Sequence, residues 1–155
     1  MVDEASLAYL ISIICLLTLL LKHVFTVIIQ GSKRTKAGSR APEDASGDVK
    51  QNFITETTDA GLLEAEQRWQ RIVQNDLENI PIGLLITFAS LIAADYSSPI
   101  THIVFVCIFT VSRILHTFSY AYGKQPWRSL SWMFGVIAMF GMVINGLVGA
   151  CYMFD

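Results

Sequence analysis

Four short stretches of this chain hold side chains that could do chemistry. The first is Arg113 to Tyr120, RILHTFSY, set inside the apolar run THIVFVCIFTVSRILHTFSYAYG. Arg113, His116, Thr117 and Tyr120 are spaced i, i+3, i+4 and i+7, so on a helix they share one face. Charge in hydrocarbon is costly, and that face must look into a bundle or a wet cavity where a partner satisfies it. The second stretch, RWQRIVQNDLENIP, supplies Arg71, Asn75 and Glu78 at i, i+4 and i+7, with Arg68 a turn earlier and Gln74 beside the stripe. Glu78 is the expected mate of Arg113, and Asp76 is expected on another face, near the membrane boundary.

The third stretch, GKQPWRSLSW, starts a further helix. Pro126 fits a first turn without loss of a hydrogen bond, and the free N–H groups there, with Arg128, favour a thiolate, phosphate or carboxylate. Ser129 is adjacent, and Trp132 is the i+4 neighbour of Arg128. In the fourth, RAPEDASG, Pro42, Glu43 and Asp44 read as a helix or turn start, from which Asp44 could reach Arg128 across the mouth of the bundle. Lys22 is either part of the same site or a snorkelling anchor, and His23 points roughly 100° away from it. Three arginines against one well-placed glutamate leave positive charge that a carboxylate-bearing ligand would neutralise. The competing reading is a set of interhelical ion pairs that fix the bundle and bind nothing.

The elements that must position these residues are helices in a membrane. Of 155 residues, 53% are apolar and 15% charged, and the mean hydropathy is +0.49, outside the usual soluble range. The apolar residues cluster into spans, which predicts an all-α integral membrane protein: a single domain over 1–155 with four transmembrane helices at roughly 6–32, 62–94, 98–122 and 127–153, and a link over 33–61. The second helix is the least apolar, with a charged first half. Lys33, Arg34, Lys36, Arg40 and Lys50 lie in the first link and Lys124 and Arg128 in the last, whereas the termini and the Asp95 turn carry no Lys or Arg. The positive-inside rule then places both basic links in the cytosol and both termini outside. The first apolar span lacks a basic leader and reads as a retained helix.

A net charge of -2 argues against a nucleic-acid partner. Cys15, Cys107 and Cys151 fall in apolar spans and read as packing residues, and the three histidines are too scattered for a metal site. No phosphate loop, nucleophile elbow or His-Glu-x-x-His pattern is present. Gly135, Ala138, Gly141, Gly146 and Gly149 would let the last helix approach its neighbours closely, and Asn145 among them reads as interhelical glue.

Taken in order, LLLKHVFTVIIQG, RAPEDA, RWQRIVQNDLENI, RILHTFSYAYG and WRSLSW resemble the MAPEG family, the membrane-associated proteins of eicosanoid and glutathione metabolism. The resemblance covers most of the chain. It implies a four-helix protomer assembled as a homotrimer in the endoplasmic reticulum membrane, with the mitochondrial outer membrane as a second location. It also implies glutathione at each subunit interface near the cytosol. Carried over by motif, the glutathione contacts are Arg71, Asn75, Glu78, Arg113, Tyr120, Arg128 and Ser129, with Arg34, or else Lys33, as a basic contact at the end of the first helix. Arg128 would stabilise the thiolate, and Asp44 and Ser129 would complete the chemistry. The chain departs from its relatives at Val73-Gln74-Asn75-Asp76, where an imidazole is missing, at Trp132 in place of a tyrosine, and at Ala45 in place of a cysteine. The activity implied is conjugation of glutathione to hydrophobic electrophiles dissolved in the bilayer, with reduction of lipid hydroperoxides. The alternatives are a glutathione-dependent prostaglandin E synthase and, in a different class, a non-catalytic membrane scaffold.

Overall fold

The computed structural model describes residues 3–41, 43–44 and 51–153, so Pro42, Ala45 and Lys50 lie outside the described residues. Helices α1 (Glu4–Ala37), α2 (Ala60–Ile92), α3 (Pro99–Ala121) and α4 (Gln125–Met153) form an up-and-down bundle, with a 3-10 turn at Ala94–Tyr96 between α2 and α3. Their ends follow from local chemistry. Asp3 caps α1, accepting from the Ala5 and Ser6 amides at 2.7 and 3.3 Å. At the other end of α1, Gly38 adopts φ 75°, and its amide returns to the Arg34 and Thr35 carbonyls. A Cβ there would also lie 2.7 Å from the Phe53 carbonyl carbon, so both the backbone angle and the packing require glycine. These two signals make α1 longer at both ends than its apolar pattern alone predicts. Ser98 caps α3 through the Thr101 amide, with Pro99 in the first turn.

α1 and α2, at 34 and 33 residues, are about 50 Å long, more than the hydrocarbon thickness of about 30 Å, and so must project from it or tilt. α1, α3 and α4 are long and apolar enough to cross a membrane. α2 is set apart by Glu64, Glu66, Arg68 and Arg71 near its start and by Pro81, which lacks the N–H that would bond the Leu77 carbonyl.

The core joins all four helices through Cys15, Leu19, Ile80, Val106, Phe109, Ala138 and Met142. Small residues set the closest approaches. A Cβ on Gly83 would fall 2.1 Å from the Phe109 ring, and one on Gly149 would fall 2.3 Å from the Ala93 carbonyl oxygen. The outer surface is apolar, with Leu10, Phe25, Leu85, Phe140 and Leu147 all exposed, as hydrocarbon requires.

Away from the basic links, buried polar groups tie the helices together. His102, fully buried on α3, lies 2.9 Å from Ser12 Oγ of α1 and 3.0 Å from Ser90 Oγ of α2. Ser12 donates to the Ala8 carbonyl at 2.7 Å, so it must accept from His102 Nε2–H. Both ring nitrogens of His102 have a serine partner. Asn145 Nδ2 donates to the Ser98 carbonyl at 3.3 Å, the interhelical role expected for it. All three cysteines are free thiols.

Candidate functional site

The end of the bundle that carries the basic links holds a polar cleft of about 210 Å³, lined by Glu64, Gln67, Arg68, Arg71, Tyr120, Gly123 and Arg128. Glu64, Gln67, Arg68 and Arg71 come from one face of α2, at i, i+3, i+4 and i+7. Tyr120 stands in the last turn of α3. Gly123, at φ 67°, lets the chain reverse into α4, with the Gly123 amide donating to the Tyr120 carbonyl at 3.1 Å. That short turn sets the Arg128 guanidinium 4.6 Å from the centre of the Tyr120 ring. With five N–H donors, the guanidinium can meet an anion as well as the ring. Arg68 donates to Glu64 at 2.7 Å and reaches the Ala121 carbonyl at 3.5 Å. Three guanidinium groups face one carboxylate, so the lining carries two formal positive charges in excess.

Deeper in the bundle lies a second charged group. Asp76, fully buried on α2, is bonded by Lys22 of α1, and its Oδ1 lies 3.2 Å from Arg113 Nη2 of α3. The same Arg113 nitrogen donates to Asn75 Oδ1 at 2.6 Å. His23 Nδ1 is 3.9 Å from the other Asp76 oxygen. His116, one turn along from Arg113, meets Tyr120 edge to face at 5.8 Å and joins this group to the cleft.

Two expectations are corrected here. Arg113 pairs with Asp76, not Glu78: Glu78 is exposed and accepts from Gln74 Nε2 at 3.1 Å. Asp76 is at the centre of the bundle, not at the boundary, because it continues the buried stripe of α2 through Ile72, Ile80, Gly83 and Thr87. Spacings of four, four, three and four residues carry that stripe, so extending the helical period from Ile72 to Ile80 lands on Asp76. Lys22 likewise turns inward to Asp76 and does not snorkel to the interface.

The remaining expected residues divide among locations. Arg71, Tyr120 and Arg128 share the cleft, to which helical periodicity read further towards the start of α2 would have added Glu64 and Gln67. Arg113 and Asn75 lie beneath it. Arg34 and Asp44 line a separate cleft of about 260 Å³ with Gly31, Thr35, Arg40 and Ala41, where Arg34 Nε donates to the Ser39 carbonyl at 2.5 Å. The two clefts share no residue, so Asp44 and Arg128 line different clefts of one protomer. Ser129 is exposed on α4 and lines neither. Among the described residues no cluster of three or more His, Cys, Asp or Glu could hold a metal ion.

Membrane-length helices with a cationic cleft at one end define a multi-pass α-helical membrane protein. Residues 7–148 match the model of the MAPEG family, and the chain belongs to that family. Among curated proteins none matches it.

Proposed function

We propose that this protein is a membrane-bound glutathione S-transferase that conjugates glutathione to hydrophobic electrophiles reaching it from the bilayer, with its site facing the cytosol. The observation that carries the reading is the cleft of Arg68, Arg71 and Arg128 with Glu64 and Tyr120. Its excess of two positive charges complements glutathione in the thiolate form, which has two carboxylates, one ammonium and one thiolate. Family membership points the same way.

Arg71 and Arg68 would take carboxylates in forked contacts, and Glu64 would take the ammonium. Arg128, held against Tyr120, presents N–H donors that favour thiolate over thiol. Glutathione bound there supplies the sulfur nucleophile. Lowering a thiol pKa from about 8.5 to about 7.5 raises the thiolate fraction at pH 7 from about 3% to about 24%, for about 1.4 kcal/mol. The sulfur then bonds the electrophilic carbon, and the leaving group departs with its electron pair.

Assembly as a homotrimer completes the reading. Arg71, Gln74 and Glu78 are exposed on α2, and hydrocarbon cannot satisfy them, whereas a second copy can. Such a neighbour could also present its Arg34 and Asp44 to the Arg128 cleft. The test is conjugation of 1-chloro-2,4-dinitrobenzene by purified protein, with kcat/KM expected to fall about tenfold to a hundredfold in Arg128→Ala. Failure of the wild type to bind glutathione or conjugate any broad-spectrum electrophile would end the proposal. The prostaglandin E synthase alternative would use Asp44 with Arg128, residues that line different clefts of one protomer. It is separated by product analysis, because isomerisation of an endoperoxide consumes no glutathione.

A further inference from the structure

We infer that Asp76 is a positioning residue, setting Arg113 and Asn75 beneath the cleft through a buried Lys22–Asp76–Arg113 group; this rests on the glutathione reading above. Asp76 and Arg113 are among the largest fully buried side chains of the protein, and Lys22 is nearly so, with 11% of its side chain exposed. A lone carboxylate at this depth would be prohibitive, and so would either cation without it. Three helices therefore depend on one aspartate.

The geometry does more than neutralise charge. One carboxylate oxygen takes both Lys22 and Arg113, which anchors the guanidinium at Nη2. The Arg113 nitrogen so aligned also donates to Asn75 Oδ1, which turns the Asn75 amide nitrogen away from the cation. Asn75 stands one turn below Arg71, a cleft residue, and its carbonyl is held by Asn79 Nδ2 at 2.8 Å. On α3, His116 stands between Arg113 and Tyr120, and Tyr120 supports Arg128. Helix spacing thus carries Arg113 and Asn75 towards the floor and wall of the cleft, where ring contacts run from His116 to Tyr120 and on to Arg128. Two cations against one carboxylate also leave a surplus positive charge beneath a ligand that carries two negative ones.

A merely structural ion pair predicts something different, and one variant series separates the two. Asp76→Asn keeps the shape and leaves two uncompensated cations, so it lowers stability and weakens glutathione binding together. Adding Lys22→Met restores the net charge of the group but leaves Arg113 facing a neutral amide oxygen in place of the carboxylate. Thermal midpoint in detergent, glutathione KM and kcat are measured for wild type, Asp76→Asn and the Lys22→Met/Asp76→Asn double variant. The double variant is expected to recover part of the midpoint lost in Asp76→Asn while its KM stays raised by about tenfold to a hundredfold, with kcat changed much less. Recovery of KM along with stability would reduce Asp76 to a structural ion and overturn the inference, as would a normal KM in Asp76→Asn. Absence of glutathione binding by the wild type overturns the functional reading itself, and that result is seen before any variant is compared.

Discussion

Arg128 and Tyr120 act as one unit, because the guanidinium lies over the aromatic ring and has N–H donors to spare for the ligand. Tyr120→Phe keeps the ring and should retain most conjugating activity, whereas Tyr120→Ala should lower kcat/KM by about three- to tenfold, the equivalent of about 1 kcal/mol of lost support. Steady-state kinetics of the two variants checks this. Asp3 offers a prediction outside the membrane. Its bonds from Ser6 Oγ and from the Ala5 and Ser6 amides hold its carboxyl below the usual carboxylate range. A depressed folded value means that the cap is in force above the ordinary pKa of about 3.9 and is lost as pH falls through the lower folded value. Hydrogen exchange at the Ala5 and Ser6 amides should therefore lose protection only in that acid range, and in Asp3→Ala protection should be low at every pH. At this scale the cleft arginines were legible from type and spacing. The Arg113 partner was not, since helix periodicity alone does not say which of two acids two residues apart faces the core. Only the stripe of Ile72, Ile80 and Gly83 resolves that.

Helix order and type were readable because membrane spans have to be long, apolar and internally hydrogen bonded. The ends were less so, because Asp3 and Gly38 extend α1 past its apolar pattern, and the link under α1 folds back so that Phe53 abuts Gly38. The α4 glycines were read correctly as close-approach positions, though not the atoms they approach. Gly149→Ala would drive a methyl into the Ala93 carbonyl, a backbone atom that cannot move aside, and should cost about 1–3 kcal/mol. Gly31→Ala, where nothing lies within 4 Å, should instead stabilise α1 by about 0.5–1 kcal/mol. Thermal unfolding in detergent distinguishes these opposite signs. His102, which joins α1, α2 and α3, appeared in the sequence only as an isolated histidine in an apolar run. Two serines on other helices give it meaning, and spacing along one helix cannot reveal them.

For the whole molecule, the polar stripe of Arg71, Gln74 and Glu78 has to be covered when α2 lies in a membrane. The expected cover is another copy of the chain, so native mass spectrometry from mild detergent should find trimers, and Glu78→Arg should weaken them by placing like charges near Arg71. Monomers only, at the same detergent concentration, would contradict this. Separation of the Arg34/Asp44 and Arg128 clefts within one protomer is the feature least accessible from sequence, because it depends on how the first link folds and on what a neighbour brings. The most direct measurement is ultraviolet detection of glutathione thiolate on purified wild type and Arg128→Ala at neutral pH. A thiolate signal that saturates with glutathione in the wild type and is lost in Arg128→Ala is the predicted result; no signal in the wild type, or an equal signal in both, would contradict the account.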